Sequence, residues 1–188
     1  MDWDTLNISA LAQIWFLGNK SHFGTDNITE VMISGPYNHL LGMRNLMIMY
    51  SKNKNQNIDW DEAVIVFERA PLGKRRREPE KLKRAFESSY AVVYVFDSDK
   101  LIGMGRALCD GEYQAAIYDM VVLPEYQGKG IGKEIIERLC EQLPVENIIL
   151  YAVPGREGFY EKCGFKKMRT AMAKLNPLMS DPDSGYIE

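Results

Sequence analysis

The chain has 188 residues, 46% of them hydrophobic and 26% charged, with a formal net charge of −3. That length suits one domain with a good core, with or without an appendage, and excludes two ordinary domains. The negative balance argues against a nucleic-acid partner, no apolar run approaches the ~18 residues of a membrane span, and Met1-Asp2-Trp3-Asp4 lacks the basic and apolar segments of a secretory leader. A cytoplasmic protein is expected.

Residues 1–45 carry Asn, Ser and Gly interruptions and aromatic residues without a sustained period, and read as an N-terminal extension or partial subdomain. Within it a short strand is expected at Val31 to Ser34, followed by a turn at Gly35-Pro36. From Leu46 the signals sharpen. "LMIMYS" is a strand and "KNKNQN" a polar loop. Asp59 with Glu62 three residues on resembles a capping box, and Trp60, Ala63, Val64 and Phe67 recur at helical spacing up to a stop near Pro71-Leu72-Gly73. Pro79 suits the first turn of a second helix, whose buried face carries Leu82, Ala85 and Phe86. The intervening "GKRRREPEKLKR" is either a solvated, strongly basic face or an attraction for a phosphate-bearing ligand.

Strands follow at 91–96, 101–108 and 115–123, the first two joined by the hairpin-sized "DSDK". The period then changes: Ile131, Ile135, Ile136, Leu139, Cys140 and Leu143 form one apolar helix face, and "NIILYAV" (147–153) is a buried strand. A strand, helix and strand in succession require parallel strands and a crossover connection. Counted from Leu46, the strands at 115–123 and 147–153 are the fourth and fifth. Arg156 to Lys162 is a short helix stopped by Gly164, "KKMRTAMAKL" a final strand, and 177–188 a C-terminal tail.

Cys109, Cys140 and Cys163 are odd in number and widely spaced, with only His22 and His39 to help them, so no zinc framework or other metal site is expected. Cys140 belongs to the apolar helix face. Cys163, beside Gly164, lacks a nearby histidine in sequence, which weighs against a nucleophilic thiol.

Gly128, Gly130 and Gly132 stand on alternate positions directly before the helical run. Glycine costs about 0.5–1 kcal/mol relative to alanine within a helix, so three need a reason. The first four N–H groups of a helix have no internal partner and carry partial positive charge, so an anion docks there if side chains stay clear. Lys129 and Lys133 favour a phosphate. The spacing fails the P-loop pattern, with Glu134 where Ser or Thr belongs, and fails the dinucleotide fingerprint at its third glycine. It does fit Gln-x-x-Gly-x-Gly, as Gln127-Gly128-Lys129-Gly130-Ile131-Gly132.

In this motif the sequence resembles the GCN5-related N-acetyltransferase (GNAT) family, whose acetyl-CoA pyrophosphate loop has that form. The resemblance extends over 46–176, with "IYDMVVLPEYQGKGIG" similar to the family's fourth strand and loop, and "FYEKCGF" to its Phe-Tyr-x-Lys-x-Gly-Phe close. It implies an α/β fold with a mixed central sheet, flanked by helices and splayed between the fourth and fifth strands. It implies acetyl-CoA as cosubstrate, with Val121 and Val122 presenting backbone to the pantetheine arm, and Gln127, Gly128, Lys129, Gly130, Ile131, Gly132 and Lys133 forming the pyrophosphate loop. Tyr160 matches the family's tyrosine acid, which protonates the departing thiolate; its bland alternative is a core tyrosine with a satisfied hydroxyl. Asp119, a carboxylate in an apolar strand two residues before Val121, is the candidate base; capping a turn or orienting the amine are its other roles. Arg106 and the turn Asp110-Gly111-Glu112 are candidates for the acceptor side. The family's Asn after the fifth strand is missing, the segment reading Ala152-Val153-Pro154-Gly155.

The expected reaction is transfer of acetyl from acetyl-CoA to a small primary amine, such as an aminosugar or arylalkylamine, by direct attack in a ternary complex. A protein or peptide amine acceptor and a non-catalytic acyl-CoA sensor are the alternatives. The N-terminal extension leaves room for a homodimer mate.

Overall fold

The computed structural model describes residues 28–33, 47–70, 77–177 and 179–187. The Gly35-Pro36 turn, the Pro71-Leu72-Gly73 stop and the first four residues of the basic run lie outside the described residues, as does most of the 1–45 extension.

One mixed sheet organises the chain, with strands in the order β1 (Ile28–Ile33), β2 (Met47–Ser51), β3 (Ala91–Asp97), β4 (Lys100–Cys109), β5 (Ala115–Val122) and β6 (Ile148–Ile149). Neighbours are antiparallel as far as β5, and β5 pairs with β6 in parallel. The fourth and fifth strands counted from Leu46 are therefore β5 and β6. β1 begins earlier than the expected 31–34 strand and runs beside β2 in the same sheet.

Four helices complete the described fold: α1 (Trp60–Arg69), α2 (Pro79–Glu87), α3 (Ile131–Cys140) and α4 (Glu157–Lys162). α1 starts where its cap dictates, Asp59 Oδ1 accepting from the amides of Asp61 at 2.9 Å and Glu62 at 3.1 Å. Glu62 turns to the Leu101 backbone rather than closing the box; burial raises its pKa and that hydrogen bond lowers it. α1 and α2 cover one sheet face through Trp60, Phe86 and Tyr94, whose rings lie 5.7–6.5 Å apart.

α3 covers the opposite face. A Cβ on Gly105 would come within 2.9 Å of Ile135 and 3.2 Å of Leu139, so glycine there lets helix and sheet approach. Ile131, Ile135, Ile136 and Leu139 are buried as their spacing predicts, each contributing roughly 1.5–3 kcal/mol of burial. Arg138 is buried with them, its Nε 2.8 Å from Glu134 and its guanidinium 4.6 Å from the Tyr50 ring centroid. Burial, and after it the Glu134 carboxylate, push the Tyr50 phenol up to about 12, while Arg138 pulls the other way.

Two expectations are corrected. The 147–153 strand shrinks to Ile148–Ile149, and 166–175 forms no strand. β6 offers too short an edge for another strand to pair along, and the late segment is mostly exposed, with Met168 58% and Met172 97% accessible.

Candidate functional site

β5 leads into the glycine segment through a 3-10 turn at Pro124–Tyr126. The Tyr126 hydroxyl donates to Asp97 at 2.7 Å, and Gln127 Nε2 donates to the Val122 carbonyl at 2.8 Å. The three glycines have different reasons. Gly128 and Gly130 hold φ of 74° and 85°, the left-handed region, where a Cβ would meet no neighbouring atom yet strain the backbone. Gly132 lacks that torsion; its added Cβ would sit 3.2 Å from Phe159 Cζ.

Gly130 is the N-cap of α3 and offers no side chain to it. The first amide to bond back is that of Glu134, to the Gly130 carbonyl at 3.1 Å. The amides from Gly128 to Lys133 donate to no acceptor among the described residues. These free amides stand where the spacing expects an anion cradle, and such a cradle would be made of backbone. Lys133 pairs with Glu137 at 3.2 Å and Lys129 lies 5.1 Å from the Tyr126 ring centroid, so both cations flank the cradle without closing it.

From the cradle a slot runs between β5 and β6. Their pairing is confined to Ala115/Ile148 and Ala116/Ile149, after which the strands part. The gap is a cavity of about 420 Å³, walled by Met120, Val121 and Val122 on one side and Val153, Phe159 and Tyr160 on the other. Among the loop residues, Gln127, Gly128, Gly130, Gly132 and Lys133 line it; Lys129 and Ile131 do not, the Ile131 side chain facing the core. Val122 presents a carbonyl already held by Gln127, so Gln127 braces the loop through its side chain.

Tyr160 stands on the far wall with its ring 4.9 Å from Phe159 and 6.3 Å from Phe165. Burial, with a smaller contribution from Cys163, raises its phenol pKa above the usual value, and its hydroxyl has no partner among the described residues. It thus remains protonated, and free to donate, at neutral pH. Cys163 also lines the cavity, and burial pushes its thiol up as well, which keeps it protonated rather than nucleophilic.

Asp119 lies at a β-bulge. Met104 faces Val121 and Arg106 faces Tyr118, so Asp119 and Met120 together oppose Gly105. Asp119 takes φ of 53°, rare for a residue with a side chain. The bulge puts Tyr118, Asp119 and Val121 on the face away from α3, while Met120 turns toward α3, as its contact with Gly105 shows. The expected shared face of Asp119 and Val121 holds, by this route and not by plain alternation with Ala115 and Ile117.

The Asp119 carboxylate is clasped by two guanidiniums, Arg77 Nη2 to Oδ1 at 2.6 Å and Arg106 Nε to Oδ2 at 2.6 Å. Arg106 also donates to Ser89 Oγ at 3.3 Å and lies 5.3 Å from the Tyr118 ring centroid. Arg77 rests on Phe67, 5.2 Å from the ring centroid. Tyr151, just past β6, packs edge-on against Tyr118 at 5.9 Å. Its phenol is pushed up by burial and by Tyr118, Asp119 and Tyr186, with Arg77 pulling it down, so these groups share one neighbourhood. Tyr118, Asp119, Arg77, Arg106 and Tyr151 therefore form a second cluster beside the slot, separate from the residues that line the cavity.

Sequence reasoning missed Arg77, hidden in a basic run, and the Phe159–Gly132 contact. It placed Arg106 near the acceptor side, and the structure puts it on Asp119. The turn Asp110-Gly111-Glu112 is self-contained, Asp110 Oδ1 accepting from the amides of Glu112, Tyr113 and Gln114.

Free backbone amides at a helix start thus open into a slot between parting parallel strands, with a buried phenol on its wall. Residues 88–167 match the acetyltransferase (GNAT) domain. Over 127 residues the chain is 34% identical to the uncharacterized N-acetyltransferase ycf52 of Pyropia yezoensis, covering 64% of this chain and 71% of that one. It is 41% identical over 104 residues to serotonin N-acetyltransferase 2, chloroplastic, of Oryza sativa subsp. japonica, covering 51% and 52% of the two chains, so it spans about half of that relative. Its fold matches a GNAT-family acetyltransferase from Streptococcus pneumoniae with a TM-score of 0.59 at 23% identity, over 70% of this chain and 99% of that one. The chain belongs to the GNAT family of N-acetyltransferases.

Proposed function

We propose that the protein transfers the acetyl group of acetyl-CoA to the primary amine of a small molecule, of the aminosugar or arylalkylamine kind, by direct attack in a ternary complex. The observation that carries this reading is the unpartnered, protonated Tyr160 hydroxyl on the wall of a slot that begins at free backbone amides. When bound, the cosubstrate supplies an acetyl group already activated as a thioester.

The chain's own residues do the rest. The amides of Gly128 to Lys133 hold the diphosphate, and the edge of β5 at Val121 and Val122, beyond its pairing with β6, guides the pantetheine arm through backbone other than the Val122 carbonyl, which Gln127 holds. Gln127 fixes the loop to that strand. Tyr160 gives its proton to the departing sulfur, which prevents reversal. An alkylamine attacks only when neutral, yet free amines are mostly protonated near pH 7. Asp119 has one hydrogen bond on each oxygen and lone pairs to spare, so it orients the amine or takes its proton through water. The three cysteines are free thiols, which supports the reducing, cytoplasmic setting we assign.

The test is to follow free thiol release from acetyl-CoA across a panel of primary amines. Release dependent on amine and on Tyr160 is expected. A folded protein that binds acetyl-CoA but releases no thiol with any amine would be a sensor instead.

A further inference from the structure

The cluster around Asp119 carries more positive charge than its carboxylate needs. Asp119 is in contact with Arg77 and Arg106, a local balance of 2 − 1 = +1. The two arginines are not equivalent. Arg106 is closed in: its side chain is 15% exposed, it bonds both Asp119 and Ser89, and Tyr118 covers it. Arg77 makes a single hydrogen bond among the described residues, lies with one face on Phe67, and keeps 35% of its side chain exposed. A guanidinium has five donors in a fixed fork, so Arg77 presents an open edge outward from the ion pair.

Its position gives that edge a use. Phe67 lies one helical turn before Ala70, which lines the donor cavity, and Arg77 acts electrostatically on Tyr151 at the parting of β5 and β6. A partly desolvated surplus cation is costly without a counter-ion, and planar guanidinium is suited to carboxylate and phosphate oxygens. The same surplus disfavours an ammonium and favours the neutral amine that attacks.

We propose that the acceptor carries an anionic group, a carboxylate or a phosphate, which docks on the open edge of Arg77 while its amine points into the slot. This rests on the acetyl-transfer reading above. Arg77 is thus a specificity-determining residue, and Asp119 sets its orientation.

Two matched pairs of amines test it: glucosamine 6-phosphate against glucosamine for phosphate, and β-alanine against β-alaninamide for carboxylate. The readout is the ratio of kcat/KM, anionic over neutral, because removing Arg77 also frees one oxygen of Asp119 and moves both absolute rates. In at least one pair the wild-type ratio should reach about tenfold or more, the scale of one charge-assisted hydrogen bond. Arg77→Gln should bring it near unity through KM, and Arg77→Lys should retain part of it. Ratios near one in the wild type, or a ratio untouched by Arg77→Gln in a variant that melts normally, overturn the proposal. If none of the four amines is turned over, calorimetric titration onto CoA-loaded protein decides. Binding of an anionic amine that disappears in Arg77→Gln supports the docking site and counts against acetyl transfer; no binding of either anionic amine overturns the site.

Discussion

Replacing Gly130 separates the two jobs its backbone does. At φ of 85° any side chain is strained, at about 1–2 kcal/mol for an ordinary residue. Alanine therefore destabilises the free protein by about that amount, a fall of roughly 2–4 °C per kcal/mol in a chain of this size. It adds no charge, and its Cβ meets nothing in the free protein, so acetyl-CoA affinity should change by less than about threefold. Aspartate tolerates the left-handed region better and at this N-cap can accept from the free amides, a gain of about 1 kcal/mol. Gly130→Asp should accordingly melt close to wild type. Its carboxylate, however, occupies the cradle. At ~5 Å from a phosphate charge the repulsion is about 1 kcal/mol in a water-like medium and about 3 kcal/mol at an effective dielectric of 20. Affinity should thus fall roughly 5- to 150-fold. Thermal melts paired with calorimetric titration of acetyl-CoA read both quantities. The expected signature is an inversion, with alanine the less stable variant and aspartate the weaker binder. If both bind acetyl-CoA like the wild type, the cradle does not hold the diphosphate; if both lose affinity equally, the loop's conformation matters and its free amides do not.

Tyr160→Phe removes the proton donor and keeps the ring, so turnover should drop 10²–10⁴-fold with acetyl-CoA affinity little changed. Because burial raises the phenol above its usual value, it stays protonated as pH rises through neutrality and the donor is lost only above pH ~10; a wild-type alkaline limb well below that would assign the acid elsewhere. Asp119→Asn leaves two guanidiniums facing each other and should cost about 2–3 kcal/mol in a melt, below the 3–5 of a fully buried broken pair because Arg77 is partly exposed. In a pH–rate profile at saturating acetyl-CoA, recovery with rising pH identifies Asp119 as the base, a higher amine KM without recovery identifies an orienting carboxylate, and a wild-type profile removes it from the mechanism. Gly132→Ala forces the Phe159 ring outward from a 3.2 Å contact and with it Tyr160, so kcat should fall several-fold while the melt holds, since alanine favours the helix by about 1 kcal/mol; an unchanged kcat would show that the Tyr160 hydroxyl does not depend on this contact.

Much of this was legible in the sequence where chemistry is local. Asp59 marks the start of α1, the apolar period of 131–139 marks the buried face of α3, and glycines on alternate positions mark the cradle. What escaped is long-range or one residue deep. One of the two partners of Asp119, Arg77, is 42 residues away in a run that reads as solvated cations. The short β6 depends on where the neighbouring strand turns aside, and no composition records that. The bulge is invisible because "AAIYDMVV" reads equally well as a regular strand; only the register against Gly105 reveals the extra residue. Glu62 matches the capping-box pattern, yet its carboxylate finds the Leu101 backbone.

That extra residue has a consequence for how such a site is encoded. A regular strand shows every second side chain to one face, so the face of β5 away from α3 could draw on Tyr118 or its immediate neighbour, never both. With Asp119 and Met120 together opposite Gly105, an aromatic ring and a carboxylate stand on the same face from consecutive positions, their Cα atoms about 3.8 Å apart. The flanking residues keep the faces they would have if Asp119 were deleted: Ile117 and Met120 toward α3, Tyr118 and Val121 away from it. In terms of chain length, the carboxylate is an insertion into a complete strand, and the slot wall beyond it reads in the same frame with or without it.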